Sequence, residues 1–336
     1  MKHTKRIPFD DMWQEFARVL LSVGLDDSRA KRCAQIFTQN TCDGVTSHGL
    51  NRFSDFVSNI KTGIINIQTE PETGNSFGVL EQWDGKRGVG PLNAEKAMNR
   101  AVELSRGSGI GCVGLRNTNH WMRAGTYGLQ AAEMRCIGIC WTNTVAVMPP
   151  WGSAEKKIGN NPIVICIPRA DGPVLLDMAM SQFSAGKLET FRRRREELPL
   201  AGGYDENGEL TTDPGSILKS DRALPIGYWK GSGFALVLDL MATLISAGDS
   251  TWEISQRDKE TGISQVFIAI DIISQAGAEN INEKVNAIID DFMEATQLED
   301  YPKIRYPGKG MLNFRNENLE KGIQVDPELW QTILNM

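Results

Sequence analysis

Two of the three histidines in this 336-residue chain sit in polar, glycine-punctuated segments: Ser47-His48-Gly49 with Arg52 close behind, and Asn119-His120-Trp121-Met122-Arg123. Imidazole is the side chain that moves protons most readily near neutral pH, so histidines rationed in this way mark where proton transfer would occur. If a helix starts at Ser47, whose hydroxyl can cap the first turn, His48 and Arg52 share one face. Leu50, Phe53, Val57 and Ile60 then form the apolar stripe on the other side. An imidazole beside a guanidinium at the positive end of a helix suits a small carboxylate with which it exchanges a proton. An ordinary capped surface helix would fit the same residues equally well. His120 falls in a turn between strand and helix together with Asn117, Asn119 and Arg123, where α/β folds keep binding groups. A histidine bonded only to backbone carbonyls would look the same.

Three other segments bear on chemistry. Gly227-Tyr228-Trp229-Lys230-Gly231-Ser232-Gly233 precedes an apolar helix and could cradle an anion on free N–H groups, with Lys230 adding charge and Trp229 a stacking surface. A plain glycine-rich connector is the competing reading. Asp177 ends an apolar strand, where a carboxylate usually bonds a neighbouring loop but could also orient a histidine or bind cofactor hydroxyls. Gly109 to Gly114 matches GxGxxG, yet a helix precedes it and a strand runs through it, the reverse of a dinucleotide fingerprint. The basic run Arg192 to Arg195, flanked by Glu189, Glu196 and Glu197, reads as a solvated helix face.

The elements that position these groups follow from periodicity. The first sixty residues read as three helices, with Gly24 stopping the first, Asp26 or Asp27 capping the second and Ser47 starting the third. Strand-like runs then appear at Gly78 to Trp83, Ile110 to Leu115, Ile137 to Trp141, Ile163 to Ile167, Val174 to Met178 and Ser264 to Ile270. Helical runs lie between them at Asn93 to Ser105, Gly125 to Arg135, Ala185 to Glu197 and Gly233 to Ser246. Such interleaving predicts an α/β fold whose mixed sheet is covered by helices. Ala170 to Pro173 looks like a hairpin turn, and residues 198 to 225 like a long surface loop.

Composition excludes several classes. With 41% hydrophobic and 23% charged residues the chain is globular, and a net charge of −6 offers no general field for nucleic acid. The six cysteines lie mostly in apolar runs without a CxxC pair, which reads as reduced packing residues of a cytoplasmic protein without a metal site. Neither a signal core nor a membrane span is expected, since no run reaches the roughly 18 apolar residues a span requires.

Together, Ser47-His48-Gly49-Leu50-Asn51-Arg52, Asn117-Thr118-Asn119-His120-Trp121, Gly159-Asn160-Asn161-Pro162, Leu176-Asp177-Met178 and Gly231-Ser232-Gly233 resemble the type-2 malate/L-lactate dehydrogenase family. The likeness runs nearly end to end. Longer strings, Asn119 to Arg123, Trp141-Thr142-Asn143, Ala146 to Gly152 and Pro225 to Lys230, resemble a bacterial branch that reduces a sugar-derived diketo acid. The resemblance implies a non-Rossmann NAD(P)-binding fold, a small keto-acid substrate and a homodimer, with His48 as proton donor. It further implies cofactor contacts from Pro173, Val174, Leu175, Leu176, Asp177, Met178 and Ala179, from Trp229 and Lys230, and from Gly308, Lys309 and Gly310. The chain departs from the branch at Pro307-Gly308-Lys309-Gly310, where His-Glu is usual in place of Lys309-Gly310. The cofactor is expected to be NADH, with NADPH the alternative because Lys309 would favour a 2′-phosphate.

On this reading hydride reaches the substrate carbonyl as His48 protonates its oxygen, Arg52 pairs with the carboxylate, His120 bonds the substrate oxygens and Asp177 supports cofactor or histidines. Residues 1–75, packing with 313–336, would form a helical region carrying His48 and the subunit contact, and residues 76–312 the α/β cofactor- and substrate-binding domain. The early helices and Leu329 to Leu334 are expected to supply apolar faces for that contact. Close rivals keep the chemistry and change the substrate to malate, lactate, ureidoglycolate, sulfolactate, another keto acid or a cyclic imine. A hydrolase or lyase holding a metal on His48, His120 and Asp177 lacks an HExxH or clustered ligand pattern, and a non-enzymatic sugar-acid binder lacks an export signal.

Overall fold

A computed structural model of the protein describes residues 5–272 and 278–336; His3 and the basic start of the chain up to Thr4 lie outside them. The chain opens with β1 (Lys5–Ile7), α1 (Phe9–Ser22) and α2 (Asp27–Cys42), followed by a 3-10 turn at Thr46–His48 and α3 (Leu50–Lys61). Next come β2 (Glu72–Phe77), β3 (Leu80–Asp84), α4 (Gly90–Ser108), β4 (Ile110–Thr118), α5 (Gly125–Glu133), β5 (Cys136–Thr142), β6 (Ile163–Ile167) and β7 (Val174–Met178). The second half runs α6 (Ala185–Arg194), β8 (Gly203–Tyr204), β9 (Leu210–Thr211), α7 (Pro214–Ser220), α8 (Trp229–Ser246), α9 (Thr251–Ile254) and β10 (Ile263–Asp271). It closes with α10 (Ala278–Met293), α11 (Lys309–Lys321), β11 (Ile323–Val325) and α12 (Pro327–Leu334).

The expected mixed sheet is present, with seven strands in the order β2-β3-β4-β10-β5-β6-β7. Only β3 and β4 pair in parallel. β10 runs antiparallel to both β4 and β5, and its mostly buried residues include the continuous apolar run Val266 to Ile270 for that reason. β6 and β7 form the anticipated hairpin through Gly172, whose φ of +103° only glycine adopts without strain. The GxGxxG segment starts at Gly109, which ends α4, and runs on into β4, as its context predicts. Arg192 and Arg193 bond Glu189 on the surface of α6.

Three expectations need correction. The third helix starts at Leu50, not Ser47, because Gly49 breaks the chain at φ −123°, ψ −120°. A Cβ on Gly49 would stand 2.3 Å from Thr41 Oγ1, so only glycine lets this turn close against α2, and Thr41 Oγ1 caps the helix by accepting from Leu50 N–H. α8 begins at Trp229, four residues before the expected Gly233. The supposed loop at 198–225 contains a small hairpin, β8 with β9, and the short α7, which Asp213 caps and whose Ile217 packs on Leu188 and Leu198. β2 had no sequence signal at all; its residues Glu-Thr-Gly-Asn-Ser-Phe are all exposed on the sheet edge.

Packing ties the N-terminal helices to the chain's end. Asp26 caps α2, and Phe16 stacks on Phe53 at 4.1 Å while Phe37 meets Phe53 edge-on at 5.1 Å. The same cluster takes in Trp330 and Ile333 of α12, and β1 pairs with β11. The apolar stripes expected to face a second subunit are largely spent in this core. A different face is open. α8 packs Ala235, Leu238 and Ala242 on the sheet but leaves Leu236, Val237, Leu240 and Leu244 exposed. Among the described residues no helix is long and apolar enough to cross a membrane, and all six cysteines are free.

Candidate active site

The two histidines meet. The 3-10 turn carries His48, the loop after β4 carries His120, and their rings lie parallel (11°) with centroids 5.8 Å apart. The His48 backbone carbonyl accepts from Asn40 Nδ2, and its Nδ1 lies 3.0 Å from Ser47 Oγ. Ser47 therefore fixes the ring rather than capping a helix. His120 Nδ1 accepts from the Met122 N–H at 3.0 Å, so neutral His120 carries its proton on Nε2. The loop is held from several sides: Asn119 Nδ2 donates to the carbonyls of Arg87 and Gly88, its Oδ1 accepts from Thr261, and the Trp121 carbonyl accepts from Tyr127. Gly90, at the head of α4, backs onto it so closely that a Cβ would lie 2.3 Å from the His120 carbonyl oxygen.

Burial pushes His48 down to about 4, with the charges of Arg52 and Arg123 adding to the effect. His120 is also driven well below the usual histidine range, first by burial and then by Arg52 and His48.

A cavity of about 410 Å³ opens on His48, His120, Arg123, Asp177 and the glycines Gly308 and Gly310. On the far side of His120 and Met122 lies a second chamber of about 360 Å³, which receives Arg52. His120 is thus the partition, and His48 and Arg52 look into different chambers rather than sharing one helix face. Among the described residues the Arg52 guanidinium has no hydrogen-bond or ion-pair partner. An unpaired guanidinium on a cavity wall is a site for a carboxylate.

Asp177 Oδ2 accepts from the Gly125 N–H at 3.1 Å and faces Arg123 Nε at 3.5 Å. Burial raises its carboxyl, while Arg123 and the Gly125 N–H pull the other way. It does not orient a histidine, since both Nδ1 atoms have other partners. Instead Arg123 carries it into a buried chain: Arg123 also bonds Asp43, which takes two further bonds from Arg315 at 2.7 and 2.8 Å. Sequence reasoning missed Asp43, Arg315 and the ion-pairing role of Arg123. It also passed over Thr144 and gave Asn160, part of the Gly159 to Pro162 string, no role; the two are cavity residues joined at 3.1 Å in the connection between β5 and β6.

The cofactor segments divide. Leu175, Asp177, Ala179, Gly308 and Gly310 line the cavity; Pro173, Val174, Leu176, Met178 and Lys309 flank it without lining it. β7 is an edge strand, and Leu175 N–H turns away from β6 to reach the Pro307 carbonyl at 3.1 Å, so the backbone of Asp177 faces the same open side. A Cβ on Gly310 would meet nothing within 4 Å, which leaves room for a ligand against the chain. This edge fits a carboxamide-bearing ring laid along β7. Trp229 and Lys230 do not line the cavity in a single chain; Trp229 is 67% exposed at the head of α8. The anion cradle expected there is not formed, because the N–H groups of Lys230, Gly231 and Ser232 already bond the carbonyls of Gly227, Ile226 and Tyr228. Among the described residues no three His, Cys, Asp or Glu side chains come together to hold a metal.

Comparison with known proteins gives the chain's family. The family model described as Malate/L-lactate dehydrogenase matches residues 7–334. A 2,3-diketo-L-gulonate reductase of Citrobacter koseri is 46% identical over 330 residues, covering 98% of this chain and 99% of the relative. Among solved structures, malate dehydrogenase of Pyrococcus horikoshii superposes with a TM-score of 0.89 at 27% identity, over 99% of this chain and 94% of the other. Sulfolactate dehydrogenase of Methanocaldococcus jannaschii gives 0.88 at 28%, over 98% and 95%. Sequence and fold lead to one conclusion: the chain belongs to the malate/L-lactate dehydrogenase family.

Proposed function

We propose that the protein reduces 2,3-diketo-L-gulonate to 3-keto-L-gulonate with NADH. The observation that carries the chemistry is the parallel His48–His120 pair beside Arg52, whose guanidinium has no hydrogen-bond or ion-pair partner among the described residues; the substrate's name rests on the likeness to the Citrobacter koseri enzyme. Arg52 takes the substrate carboxylate, His120 Nε2–H bonds a substrate oxygen, and protonated His48 gives its proton to the carbonyl oxygen. The chemistry that a reduced nicotinamide would supply when bound is hydride for the carbonyl carbon. The edge of β7, Gly308 and Gly310 hold the cofactor, and Asp177, anchored on Arg123, borders it. Lys309, at the first turn of α11, is the residue through which a 2′-phosphate would be accepted.

The test is NADH consumption with 2,3-diketo-L-gulonate, pyruvate and oxaloacetate, repeated with NADPH. Preferred turnover of the diketo acid with NADH is the expected result. Preference for another keto acid removes the substrate but leaves the site chemistry, which is the alternative that the sulfolactate and malate enzymes of the same fold represent.

The same reading makes the protein a cytoplasmic homodimer, with free cysteines suited to a reducing compartment. On this reading residues 1–75 with 313–336 act as a helical region and residues 76–312 as the α/β part, the two joined by the Asp43–Arg123 bond and by Val89, Leu92 and Met122 packing among the N-terminal helices. The exposed face of α8 is the surface that a second copy would cover, and Trp229 and Lys230 at its head would approach a cofactor only from across that contact. Leu240→Glu with Leu244→Glu should give a monomer by light scattering; an unchanged mass would exclude α8 as the interface.

A further inference from the structure

The chamber behind His120 has a composition that a simple keto acid would not use. It shares His120 and Met122 with the cofactor cavity, so a substrate whose carbonyl lies between the histidines extends into it. Its wall carries two cations, Arg52 and Lys259, and two carboxylates, Asp55 and Glu260. Glu260 Oε2 accepts from the Val145 N–H at 3.2 Å, while Oε1 has no hydrogen-bond partner among the described residues. The Asn59 amide, on α3, is likewise unpartnered among them and lines the same wall. With Arg52 taken by the substrate's carboxylate, one cation and two carboxylates remain. Such a surface accepts hydrogen bonds from hydroxyl groups and repels a second carboxylate.

We propose that this chamber is the subsite for the hydroxylated tail of an open-chain sugar acid, and that Glu260 reads a tail hydroxyl through Oε1 and excludes dicarboxylates. The proposal rests on the keto-acid reductase reading above and deepens it from the carbonyl to the rest of the substrate. A short acid such as pyruvate uses only Arg52 of the chamber and leaves Glu260 and Asn59 without a hydroxyl to bond; a dicarboxylate such as oxaloacetate sets its second charge against Glu260.

The experiment compares kcat/KM for 2,3-diketo-L-gulonate with that for pyruvate, in wild type, Glu260→Gln and Asn59→Leu. Glu260→Gln keeps the side chain's shape and an oxygen to accept from Val145, so it tests recognition rather than folding. The diketo acid to pyruvate ratio is expected to fall by about ten- to a hundredfold in Glu260→Gln, as a buried hydroxyl loses its charged acceptor. Asn59→Leu, which fills the chamber with an apolar group, should lower it too. Oxaloacetate should gain relative to pyruvate in Glu260→Gln. A ratio unchanged in both variants, or a wild type that does not favour the hydroxylated acid, overturns the subsite while leaving the reductase reading in place. A wild type that consumes no keto acid with either nicotinamide removes the reductase reading and the subsite together.

Discussion

His48→Asn should lower kcat for keto-acid reduction by about 10²- to 10⁴-fold while changing NADH affinity, read by tryptophan quenching, by less than about threefold. The amide keeps much of the ring's volume and can still meet Ser47, but it has no proton to give. The pH profile makes the test sharper. In the free protein His48 is held down to about 4, by burial first and then by Arg52 and Arg123. Above that value its protonated fraction falls tenfold per pH unit, so kcat/KM for reduction should fall about tenfold per unit from pH 5 to 8. For the reverse oxidation the required form is neutral imidazole, already dominant, and the profile should be flat over the same range. Once a carboxylate pairs with Arg52, one of the charges depressing His48 is neutralised, so kcat should persist to higher pH than kcat/KM. If His48→Asn retains the slope, the proton comes from another group and the assignment fails.

Asp43→Asn should cost about 3–5 kcal/mol of stability, because it removes the carboxylate that compensates one buried and one partly buried guanidinium. Asp43 is fully buried at the end of α2, where Arg123, Arg315 and Gln39 all bond it. Burial by itself would raise its carboxyl, but the bonds from Arg315 and the charges of both arginines win and hold it below the usual range. The sign follows: with a folded value below the unfolded one, its stabilisation is complete above pH 4 and is lost as pH falls through the folded value. His48 adds an earlier loss, from about 6.5 down to about 4, because the unfolded chain takes up that proton first. The measurement is the apparent melting temperature of Asp43→Asn against wild type at pH 7 and in steps below pH 4, where the folded carboxylate takes up its proton. A shift within a degree at pH 7 would show that the triad is dispensable. A gap that narrows at low pH is the expected signature.

The sequence exposes proton-transfer groups well and their partners poorly. His48 and His120 stand out because histidine is scarce and their segments are polar. Their meeting across a partition, with Arg52 on the far side, depends on Gly49 packing against Thr41, and nothing in a helical repeat announces such a break. Asp43 looks like a surface residue after a helix; its arginines lie 80 and 272 positions away. Periodicity finds strands that alternate or carry apolar runs, so the run Val266 to Ile270 makes β10 plain, while β2, without an apolar residue before Phe77, is invisible. Trp229 and Lys230 stand out by composition, yet their place on an exposed helix head is a matter of assembly rather than of local pattern.

The central position of β10 has a consequence for how the protein is made. The strand that joins β4 to β5 is encoded more than 120 residues after β5 ends, as the pairing of Gln265 with Thr142 requires. Until it leaves the ribosome, β4 and β5 have no common partner and would present open edges to other chains. Premature termination before residue 263 would therefore release two half-sheets prone to sticking, and nascent chains of that length are the natural clients for a holding chaperone.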